Sequence, residues 1–508
     1  MTRTLRIDTT VSSVDVTDWP ELLSADRFFL RDRLTEGSGA RIAIRLDDRT
    51  MTFREVDVLA SGYAALLADL GVRKGDRVLI VMPDGPGFVG GLFGILRLGA
   101  VVIMLNPGLS RDTVRAIVDT ARPGAVVVDR AYQEILDSTG PERLVVDGGF
   151  EPPQADYPTV DTGPEDPAMW LFSGGTTGVP KAVPQTHRSL INTTRLYGQG
   201  VLNLTVDDIT IAVPKLYFGY ATGSNLLFPF SVGASTVLFD EPSTPDALLA
   251  RINAHRPTVM VNVPSAINQM VNHPGAGTDD LSCLRFATSA GEALPETLHR
   301  RWLDTFGVEL LDGLGTAEMW HIFVSNRPGA VRPGTVGQVV PGFEIKVCDE
   351  DDAEVPTGEV GRLWVSGDSL GLGYWEDRER TTWAFRPPWF VSGDLVSIDE
   401  EGYVTHRGRA DDAVKVKGKW FSPPELESTL LEHPSVRECA VIAVDDEVGL
   451  ARPVAFVVRS GEVTEQDLID WSLARLEPYK HPRQVFFVDR LPLTHLGKVD
   501  RGALRRTV

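Results

Sequence analysis

The amino-acid sequence predicts an α/β protein. A large N-terminal domain, built of βαβ subdomains and a β-rich subdomain, precedes a small C-terminal α/β domain. Over residues 50–150, and again over 168–339, short apolar runs alternate with stretches whose apolar residues recur at helical spacing. Strands that alternate with helices form parallel sheets covered on both faces. Over 337–406 the pattern changes to short strands separated by turns rich in Gly, Pro and Asp, which predicts the β-rich subdomain.

The individual elements follow from the same patterns. Helical spacing of apolar residues predicts three helices in the first region, over 52–70, 87–98 and 113–120. Apolar runs predict buried strands in both regions, over 77–82, 100–104, 125–128, 236–239, 259–262 and 285–288.

The C-terminal part begins after a predicted polar turn at 408–412. Helices are predicted over 424–432 and 464–476, and strands over 438–444 and 454–458. Because this segment of about a hundred residues has the size of a separate domain, we expect domains at 1–410 and 411–508.

Composition narrows the classes of partner. The 508 residues carry 70 acidic against 50 basic side chains, a formal charge of −20, which disfavours nucleic acid and anionic membrane surfaces. Three cysteines without a CxxC pair disfavour a disulfide framework or zinc ribbon and fit a reducing compartment. The longest apolar-leaning run, 88–105, is interrupted by glycines and Arg97, so it predicts a buried helix and strand rather than a membrane span. The N-terminus has no signal-peptide pattern, and we expect a cytoplasmic protein.

The most informative segment is Phe172-Ser-Gly-Gly-Thr-Thr-Gly-Val-Pro-Lys181. Glycines let the backbone approach a phosphate, hydroxyl and amide groups bond its oxygens, and the lysine adds a positive charge. The segment is not a Walker loop, because Lys181 follows Val-Pro and precedes no Ser or Thr. It predicts a phosphate site, although many loops of this composition are ordinary turns.

Five further features follow it in order. A Gly-rich turn is predicted at 312–318, with an acid and a hydroxyl suited to an adenine edge, a phosphate and Mg²⁺. Asp394 is predicted to follow a tight turn, where its carboxylate could accept both ribose hydroxyls, and Arg409 supplies charge nearby. The segment 417–425 opens the small domain, and Lys498 lies near the C-terminus. Each feature alone has an ordinary interpretation, as a turn residue or a surface ion-pair partner. The complete set, in this order along the chain, has no such ordinary interpretation.

In this order and spacing the motifs resemble the acyl-adenylate-forming superfamily over nearly the whole chain, from about residue 25 to 506. Within the superfamily, three segments are most similar to benzoate–CoA ligases. They are Pro214-Lys-Leu-Tyr-Phe-Gly-Tyr-Ala-Thr-Gly-Ser-Asn225, Ser289-Ala-Gly-Glu-Ala-Leu294 and Glu318-Met-Trp-His-Ile-Phe-Val-Ser-Asn-Arg-Pro-Gly329.

The resemblance implies a two-step reaction. A carboxylate attacks the α-phosphate of ATP to give acyl-AMP and pyrophosphate, and the thiol of CoA then displaces AMP. The residues it implies for ATP are Thr176, Thr177, Gly178 and Lys181 at the β- and γ-phosphates, Thr316 at the α-phosphate, Ser289, Ala290, Gly291 and Asp312 around adenine, and Asp394 and Arg409 at ribose.

The remaining implied roles concern catalysis and domain movement. Glu318 would hold Mg²⁺, and Lys498 would bridge the carboxylate and the α-phosphate, stabilising charge in the transition state. Asp411 matches the hinge about which the small domain rotates between the two half-reactions. That rotation would bring Lys417, Gly418 and Lys419 to the mouth of the thiol tunnel.

The substrate segment predicts a small, flat, mainly aromatic pocket. Phe218-Gly219-Tyr220 offers no carboxylate for an amino-acid ammonium, and an unpaired buried ammonium would cost several kcal/mol. The predicted lining residues are Phe218, Gly219, Tyr220, Trp320, His321 and Ile322. We expect Gly219 to add room and Trp320 to remove it, and His321 or the Tyr220 hydroxyl to face a ring substituent. The alternative for Trp320 is a core aromatic without substrate contact.

Two departures leave the thiol acceptor open between CoA, which we favour, and the phosphopantetheine of a carrier protein. Gly174 replaces the usual Ser or Thr, and Ala182 the usual Gly. With Pro184-Gln-Thr-His187 they resemble aryl-acid–AMP ligases that load siderophore carrier proteins, although the Asn that those enzymes have near Gly219 is lacking. A non-catalytic nucleotide-binding protein and a generic phosphotransferase are the alternatives from other classes. Neither accounts for Lys181, Glu318 and Lys498 together. A homodimer is left open.

Overall fold

A computed structural model describes residues 19–136, 141–146, 150–173, 180–410, 414–416, 419–445, 451–492 and 499–508. Some of the predicted functional residues lie outside these ranges, namely Thr176, Thr177, Gly178, Asp411, Lys417, Gly418 and Lys498. Lys419 lies in a described strand, but its side chain is outside the description.

The described residues contain the following elements. The α-helices are α1 Asp32–Thr35, α2 Phe53–Asp69, α3 Pro86–Arg97, α4 Arg111–Ala121, α5 His187–Thr193, α6 Gly219–Thr222, α7 Phe228–Ser231, α8 Pro245–His255, α9 Pro264–Val271, α10 Glu296–Phe306, α11 Arg378–Ala384, α12 Pro423–Leu431, α13 Glu465–Leu473 and α14 Arg501–Arg505. π-Helical turns cover Arg27–Arg31, Thr194–Gln199 and Gly223–Leu227, and 3₁₀ turns cover Ser38–Ala40, Arg130–Ile135 and Ala317–Met319.

The strands are β1 Ile42–Arg45, β2 Thr50–Thr52, β3 Arg77–Val81, β4 Val101–Met104, β5 Ala125–Asp129, β6 Glu142–Val146, β7 Pro167–Ser173, β8 Lys181–Thr186, β9 Ile209–Ala212, β10 Ser235–Val237, β11 Val259–Asn262, β12 Phe286–Ser289, β13 Leu310–Gly315, β14 Ile322–Ser325, β15 Gln338–Val339, β16 Glu344–Cys348, β17 Gly361–Ser366, β18 Phe385–Arg386, β19 Trp389–Ile398, β20 Val404–Arg409, β21 Val414–Val416, β22 Lys419–Phe421, β23 Val436–Asp445, β24 Ala451–Arg459 and β25 Gln484–Phe487.

Two mostly parallel sheets form the N-terminal part, which confirms the predicted βαβ organisation. One has the strand order β6-β5-β3-β4-β7-β8, and only β8 runs antiparallel to its neighbour. The other has the order β15-β14-β13-β12-β11-β9-β10-β1-β2. In open parallel sheets, binding sites form at the carboxyl ends of the strands. The residues that follow β4, β12 and β13 are therefore expected to form a binding site.

Local sequence explains how the first sheet is covered. Helix α2 begins at a capping box in which the Thr52 side chain accepts from the Glu55 amide and the Glu55 carboxylate accepts from the Thr52 amide. It packs on α3 through glycines, because a Cβ at Gly90 would lie 2.6 Å from Leu59 Cγ and one at Gly94 2.7 Å from Tyr63 Cβ. The absence of these side chains lets the two helices lie in close contact over the sheet.

The β-rich part is a five-stranded antiparallel sheet, with β16, β17, β19 and β18 in order and β20 paired to β19. It confirms the β-rich subdomain that the sequence predicts over 337–406. This region also contains helix α11, which was not predicted. Three local expectations were wrong. Asp312 lies within strand β13, Asp394 within β19, and Arg409 within β20, where turns were predicted. In each case a neighbouring strand pairs with the Gly-rich segment and holds it extended.

The C-terminal part contains the hairpin β21–β22 and a three-stranded sheet in the order β23-β24-β25. Two separate apolar clusters cover this sheet, one centred on Leu426, Val441 and Leu468 and the other on Ile442, Phe456 and Leu504. Alternate residues of β23 belong to different clusters, as expected for a strand that is buried on both faces. In the described ranges, no helix is long and apolar enough to span a membrane.

Candidate functional site

A cavity of about 210 Å³ lies at the carboxyl ends of the parallel strands. Its walls come from the end of β4, the middle of β7, the start of α6, the turn after β12 and the connection from β13 to β14. The lining residues are Met104, Leu105, Asn106, Leu109, Ile117, Trp170, Leu171, Phe172, Pro180, Tyr217, Phe218, Gly219, Tyr220, Ala290, Gly291, Gly315, Thr316, Ala317, Trp320, His321 and Ile322. No Asp, Glu, Lys or Arg is among these lining residues. All six predicted substrate residues are present.

His321 is held in one orientation by the helix that begins at Gly219. Its Nε2 lies 3.0 Å from the Tyr220 carbonyl oxygen and 3.2 Å from Ser224 Oγ. A Cβ at Gly223 would lie 2.5 Å from His321 Cδ2, so only glycine allows the ring this close to the helix. Burial lowers the pKa of His321 to about 4, so the imidazole is neutral near pH 7. This support by Gly223 and Ser224 carries no local sequence signal and was not predicted.

Trp320 is 2% exposed and has a positive φ of +67° with a ψ of −56°, and a positive φ is uncommon for a residue other than glycine. Its side chain lines the cavity, so the residue is not a core aromatic remote from the site. Its indole Nε1 has no hydrogen-bond partner among the described residues.

Gly219 lines the cavity but does not widen it as expected. A Cβ at this position would lie 2.9 Å from both Cδ atoms of Leu171, so the leucine already fills the space that the glycine leaves. The Tyr220 hydroxyl is also occupied, because it lies 2.7 Å from Thr288 Oγ1. Burial raises the pKa of Tyr220 well above its usual value, so the phenol stays neutral.

Polar groups adjoin this apolar cavity on the side of β12 and β13. Ser289 and Asp312 are paired residues of these strands, and Thr316 follows β13. Ser289 Oγ, Asp312 Oδ1 and Thr316 Oγ1 are all buried and make no hydrogen bond of good geometry with the described residues, although the Ser289 hydroxyl lies close to the Asp312 carboxyl. Burial raises the pKa of the Asp312 carboxyl well above its usual range. Three orphaned polar atoms in one region are typical of a site that expects a polar ligand.

Glu318 lies beside this group and is fixed by Tyr374. The Tyr374 hydroxyl donates to Glu318 Oε1 at 2.7 Å, and Lys181 Nζ lies 5.3 Å from the centre of the tyrosine ring. Burial raises the pKa of Tyr374, and the Glu318 charge raises it further, so the tyrosine remains a donor. The structure thus brings Lys181 and Glu318 to one region through Tyr374, a residue to which the sequence assigned no role.

Asp394 has three hydrogen-bond donors around its carboxylate. Ser392 Oγ lies 2.5 Å from Oδ2, His406 Nε2 3.2 Å from Oδ1 and Arg409 Nη1 3.3 Å from Oδ1. Burial alone would raise the pKa of Asp394, but the His406 hydrogen bond and the Arg409 charge hold it well below its usual range. The carboxylate is therefore ionised and pre-oriented. Ser392 and His406 are supporting residues that sequence reasoning did not find.

No group of three or more His, Cys, Asp or Glu side chains within the described ranges could hold a metal ion. This is compatible with magnesium bound through a nucleotide, because Mg²⁺ in such sites takes one or two carboxylates and completes its shell with phosphate oxygens and water. Glu318 has the oxygen donor that this arrangement needs.

Comparison with known proteins agrees with this geometry. A family model described as AMP-binding enzyme matches residues 31–375, and the model of the AMP-binding enzyme C-terminal domain matches 425–498. The chain is 38% identical to a benzoate–CoA ligase of Thauera aromatica over 96% of both chains. It is 33% identical to a 3-hydroxybenzoate–CoA/4-hydroxybenzoate–CoA ligase of the same organism, over 93% of this chain and 95% of the relative.

Among solved structures, the anthranilate CoA ligase AuaEII in complex with anthranoyl-AMP superposes with a TM-score of 0.92 at 34% identity. The match covers 97% of this chain and 99% of that one. The protein belongs to the AMP-binding enzyme family, whose members form acyl adenylates.

Proposed function

We propose that the protein is an ATP- and Mg²⁺-dependent ligase that activates an aromatic carboxylic acid as its acyl-AMP and transfers the acyl group to the thiol of CoA. The observation that carries the proposal is the uncharged cavity lined by Phe218, Tyr220, Trp320 and His321 and adjoined by unpartnered polar atoms on β12 and β13. An apolar cavity of about 150 Å³ can hold benzene. A cavity of about 210 Å³ therefore suits one substituted ring better than a long acyl chain.

The described residues fit a nucleotide at the edge of this cavity. The orphaned oxygens of Ser289 and Asp312 can bond an adenine edge, and the Thr316 hydroxyl can donate to a phosphate. The ionised Asp394 can accept from both ribose hydroxyls, and Glu318 can hold the magnesium ion that bridges the phosphates. The first half-reaction then needs the acid in the apolar cavity with its carboxylate turned toward Thr316.

The experiment that tests the proposal is ATP–pyrophosphate exchange with a panel of acids, followed by CoA addition to the best one. The panel holds benzoate, hydroxy- and aminobenzoates, cinnamate, short fatty acids and phenylalanine. Exchange with a benzoate-type acid and efficient release of its CoA thioester are expected. Exchange with none of these acids would contradict the proposal.

Transfer to a carrier-protein phosphopantetheine is the second candidate, and it rests on Gly174, Ala182 and the 184–187 segment. It would be favoured if exchange is fast, CoA turnover is slow, and a phosphopantetheinylated carrier protein accepts the acyl group. Both acceptors present the same thiol, so only this measurement separates them.

The ribose contact gives the first prediction. Asp394→Asn should raise the KM for ATP by about tenfold or more, because it removes a buried negative charge that accepts hydrogen bonds, and hydrogen bonds to charged groups contribute about 1.5–3 kcal/mol. Steady-state exchange kinetics at varied ATP give this value. A KM for ATP within about twofold of the wild type would contradict the ribose assignment.

Domain movement gives the second prediction. We propose that 411–508 forms the mobile domain and that Asp411 is its hinge, which the separate apolar clusters of the C-terminal sheet support. Asp411→Pro should leave pyrophosphate exchange nearly unchanged and slow thioester formation by about tenfold or more, because proline fixes φ at a residue that must rotate. Single-turnover assays of each half-reaction make the comparison. Equal effects on both would contradict the hinge assignment.

A further inference from the structure

Asp84 is a buried carboxyl that the proposed reaction does not use, and it connects the two large sheets. It lies three residues after the end of β3 in the first sheet, whereas Leu216 follows β9 of the second sheet. The Leu216 amide donates to Asp84 Oδ1 at 2.8 Å. Leu216 is 0% exposed and Asp84 is 8% exposed, so water does not readily replace this hydrogen bond. The bond therefore fixes the backbone of Leu216 relative to the first sheet.

The cavity is bounded by residues of the same two sheets. Met104 lines it from the end of β4 in the first sheet, and Tyr217 and Phe218 line it from the segment that follows β9 in the second. Leu216 immediately precedes these two residues, whereas Asp84 is not one of the lining residues given above. Asp84 thus holds together walls that come from different sheets without lining the cavity itself.

Short-range hydrogen bonds make the segment 216–220 move as one unit with the start of α6. The Thr222 hydroxyl donates to the Leu216 carbonyl oxygen at 2.5 Å, and the Thr222 amide donates to the Phe218 carbonyl oxygen at 2.9 Å. The Phe218 amide in turn donates to the Lys215 carbonyl oxygen at 2.9 Å. A shift of Leu216 is therefore transmitted to the residues that line the cavity.

The oxygen of Asp84, rather than its charge, is what the Leu216 amide requires. Burial raises the pKa of the Asp84 carboxyl, and the charge of Lys215 opposes this rise. A carboxyl group can accept from an amide whether it is ionised or protonated. Lys215 has an acceptor of its own, because its Nζ donates to the Phe239 carbonyl oxygen at 2.9 Å and lies 3.5 Å from the centre of the Phe239 ring. A neutral acceptor at position 84 should therefore be tolerated.

On the basis of the proposed function, we infer that Asp84 is a positioning residue for the aromatic acid, because its hydrogen bond to Leu216 holds the segment 216–220 in the place that the bound ring requires. It acts through this segment and touches neither substrate. The residues expected to face ATP belong to other segments, at the ends of β12 and β13 and within β19. Removing the Asp84 oxygen should therefore weaken binding of the acid and leave binding of ATP nearly unchanged.

The experiment measures the KM for the acid and the KM for ATP in pyrophosphate exchange, with the acid of the panel above that the wild type uses best. Asp84→Ala should raise the KM for the acid by about tenfold or more, because the buried Leu216 amide loses its acceptor and the segment must shift to recover one. The KM for ATP should stay within about twofold of the wild type. Asp84→Asn should keep the KM for the acid within about threefold, because its amide oxygen accepts in place of Oδ1.

Asp208→Ala is the matched control for a general loss of stability. Asp208 is 3% exposed, accepts from the Thr205 amide at 2.8 Å and precedes β9, whereas Leu216 follows that strand. It also pairs with Arg285 at 2.9 Å, so this variant should lower the Tm at least as much as Asp84→Ala. Its KM for the acid should nevertheless stay near the wild-type value.

Thr222→Val tests the same segment if Asp84→Ala does not fold. It removes the hydroxyl that holds the Leu216 carbonyl and keeps the branched shape of the side chain. The KM for the acid should rise by about threefold or more, again without a change in the KM for ATP. Equal rises in the two KM values would contradict a positioning role.

Three outcomes would overturn the inference while the proposed function stands. They are a KM for the acid within about twofold of the wild type in Asp84→Ala, a rise in that KM matched by the KM for ATP, and a rise in Asp84→Asn as large as in Asp84→Ala. The last result would show that the bond to Leu216 is not the cause. Failure of the wild type to support exchange with any acid would instead contradict the proposed function, on which the inference rests.

Discussion

Lys498→Ala should lower the rate of ATP–pyrophosphate exchange by about 10²–10³, the largest effect that we expect from a single side chain. Negative charge gathers on the carboxylate and α-phosphate oxygens as the acyl–phosphate bond forms. A cation placed between them stabilises that charge more strongly in the transition state than in the bound substrates. Lys498 lies outside the described residues, so the assignment rests on its place in the motif order near the C-terminus.

The second half-reaction separates a catalytic effect of Lys498→Ala from a folding defect. When acyl-AMP is supplied directly, thioester formation should remain near the wild-type rate, because Lys498 is needed only while the adenylate forms. Arg490→Ala is the matched control, since it removes an exposed cation of the same C-terminal part and should affect neither reaction. Exchange within about threefold of the wild type in Lys498→Ala would contradict the role.

Glu318→Gln should lower adenylation by about 10² and raise the Mg²⁺ concentration needed for half-maximal exchange. The substitution keeps the shape of the side chain but removes the charge that would neutralise the metal, and Mg²⁺ binds carboxylates in preference to amides. Exchange rates measured over a magnesium titration at saturating ATP report both changes. An unchanged magnesium dependence would contradict the metal assignment.

Tyr374→Phe provides a graded comparison for Glu318. It removes only the 2.7 Å hydrogen bond that orients the carboxylate, so we expect a loss of about tenfold and a smaller shift in magnesium dependence. Glu359→Gln removes an exposed carboxylate of the β-rich sheet region and should change neither quantity. We therefore expect the largest loss for Glu318→Gln, a smaller loss for Tyr374→Phe and none for Glu359→Gln. These three variants respectively remove the metal-binding carboxylate, the hydrogen bond that orients it, and an unrelated negative charge.

The sequence predicted the regular elements well where local chemistry determines them. Helix α2 was expected over 52–70 and runs over Phe53–Asp69, because the capping box and the apolar spacing agree. It failed at Asp312 and Asp394, where glycine-rich stretches indicated turns. Both residues lie in strands. Strands distant in sequence hydrogen-bond to their backbone and hold it extended, although the local glycine content favours a turn.

In the candidate site, too, the sequence predicted some residues and missed others. The six residues that motif order assigned to the substrate all line the cavity, and their contact with a substrate stays a prediction. Lys181, Glu318 and Asp394 lie in the polar regions described above. The side chains that orient these residues were not predicted. Tyr374 lies 56 positions from Glu318 and His406 lies 12 from Asp394, and no local pattern connects such pairs. Gly219 was misinterpreted for a related reason, because the space that it leaves is taken by Leu171 from another segment.

The π-helical turn Gly223–Leu227 joins α6 to α7 without a break in the helical backbone. A π-turn is equivalent to one extra residue inserted into an α-helix, and each residue of an α-helix corresponds to a rotation of about 100°. The turn therefore determines the direction of Tyr220, which lines the cavity, independently of the direction of Phe228, which lies in the core. Deleting one residue within 223–227 would rotate Tyr220 and Ser224 relative to Phe228.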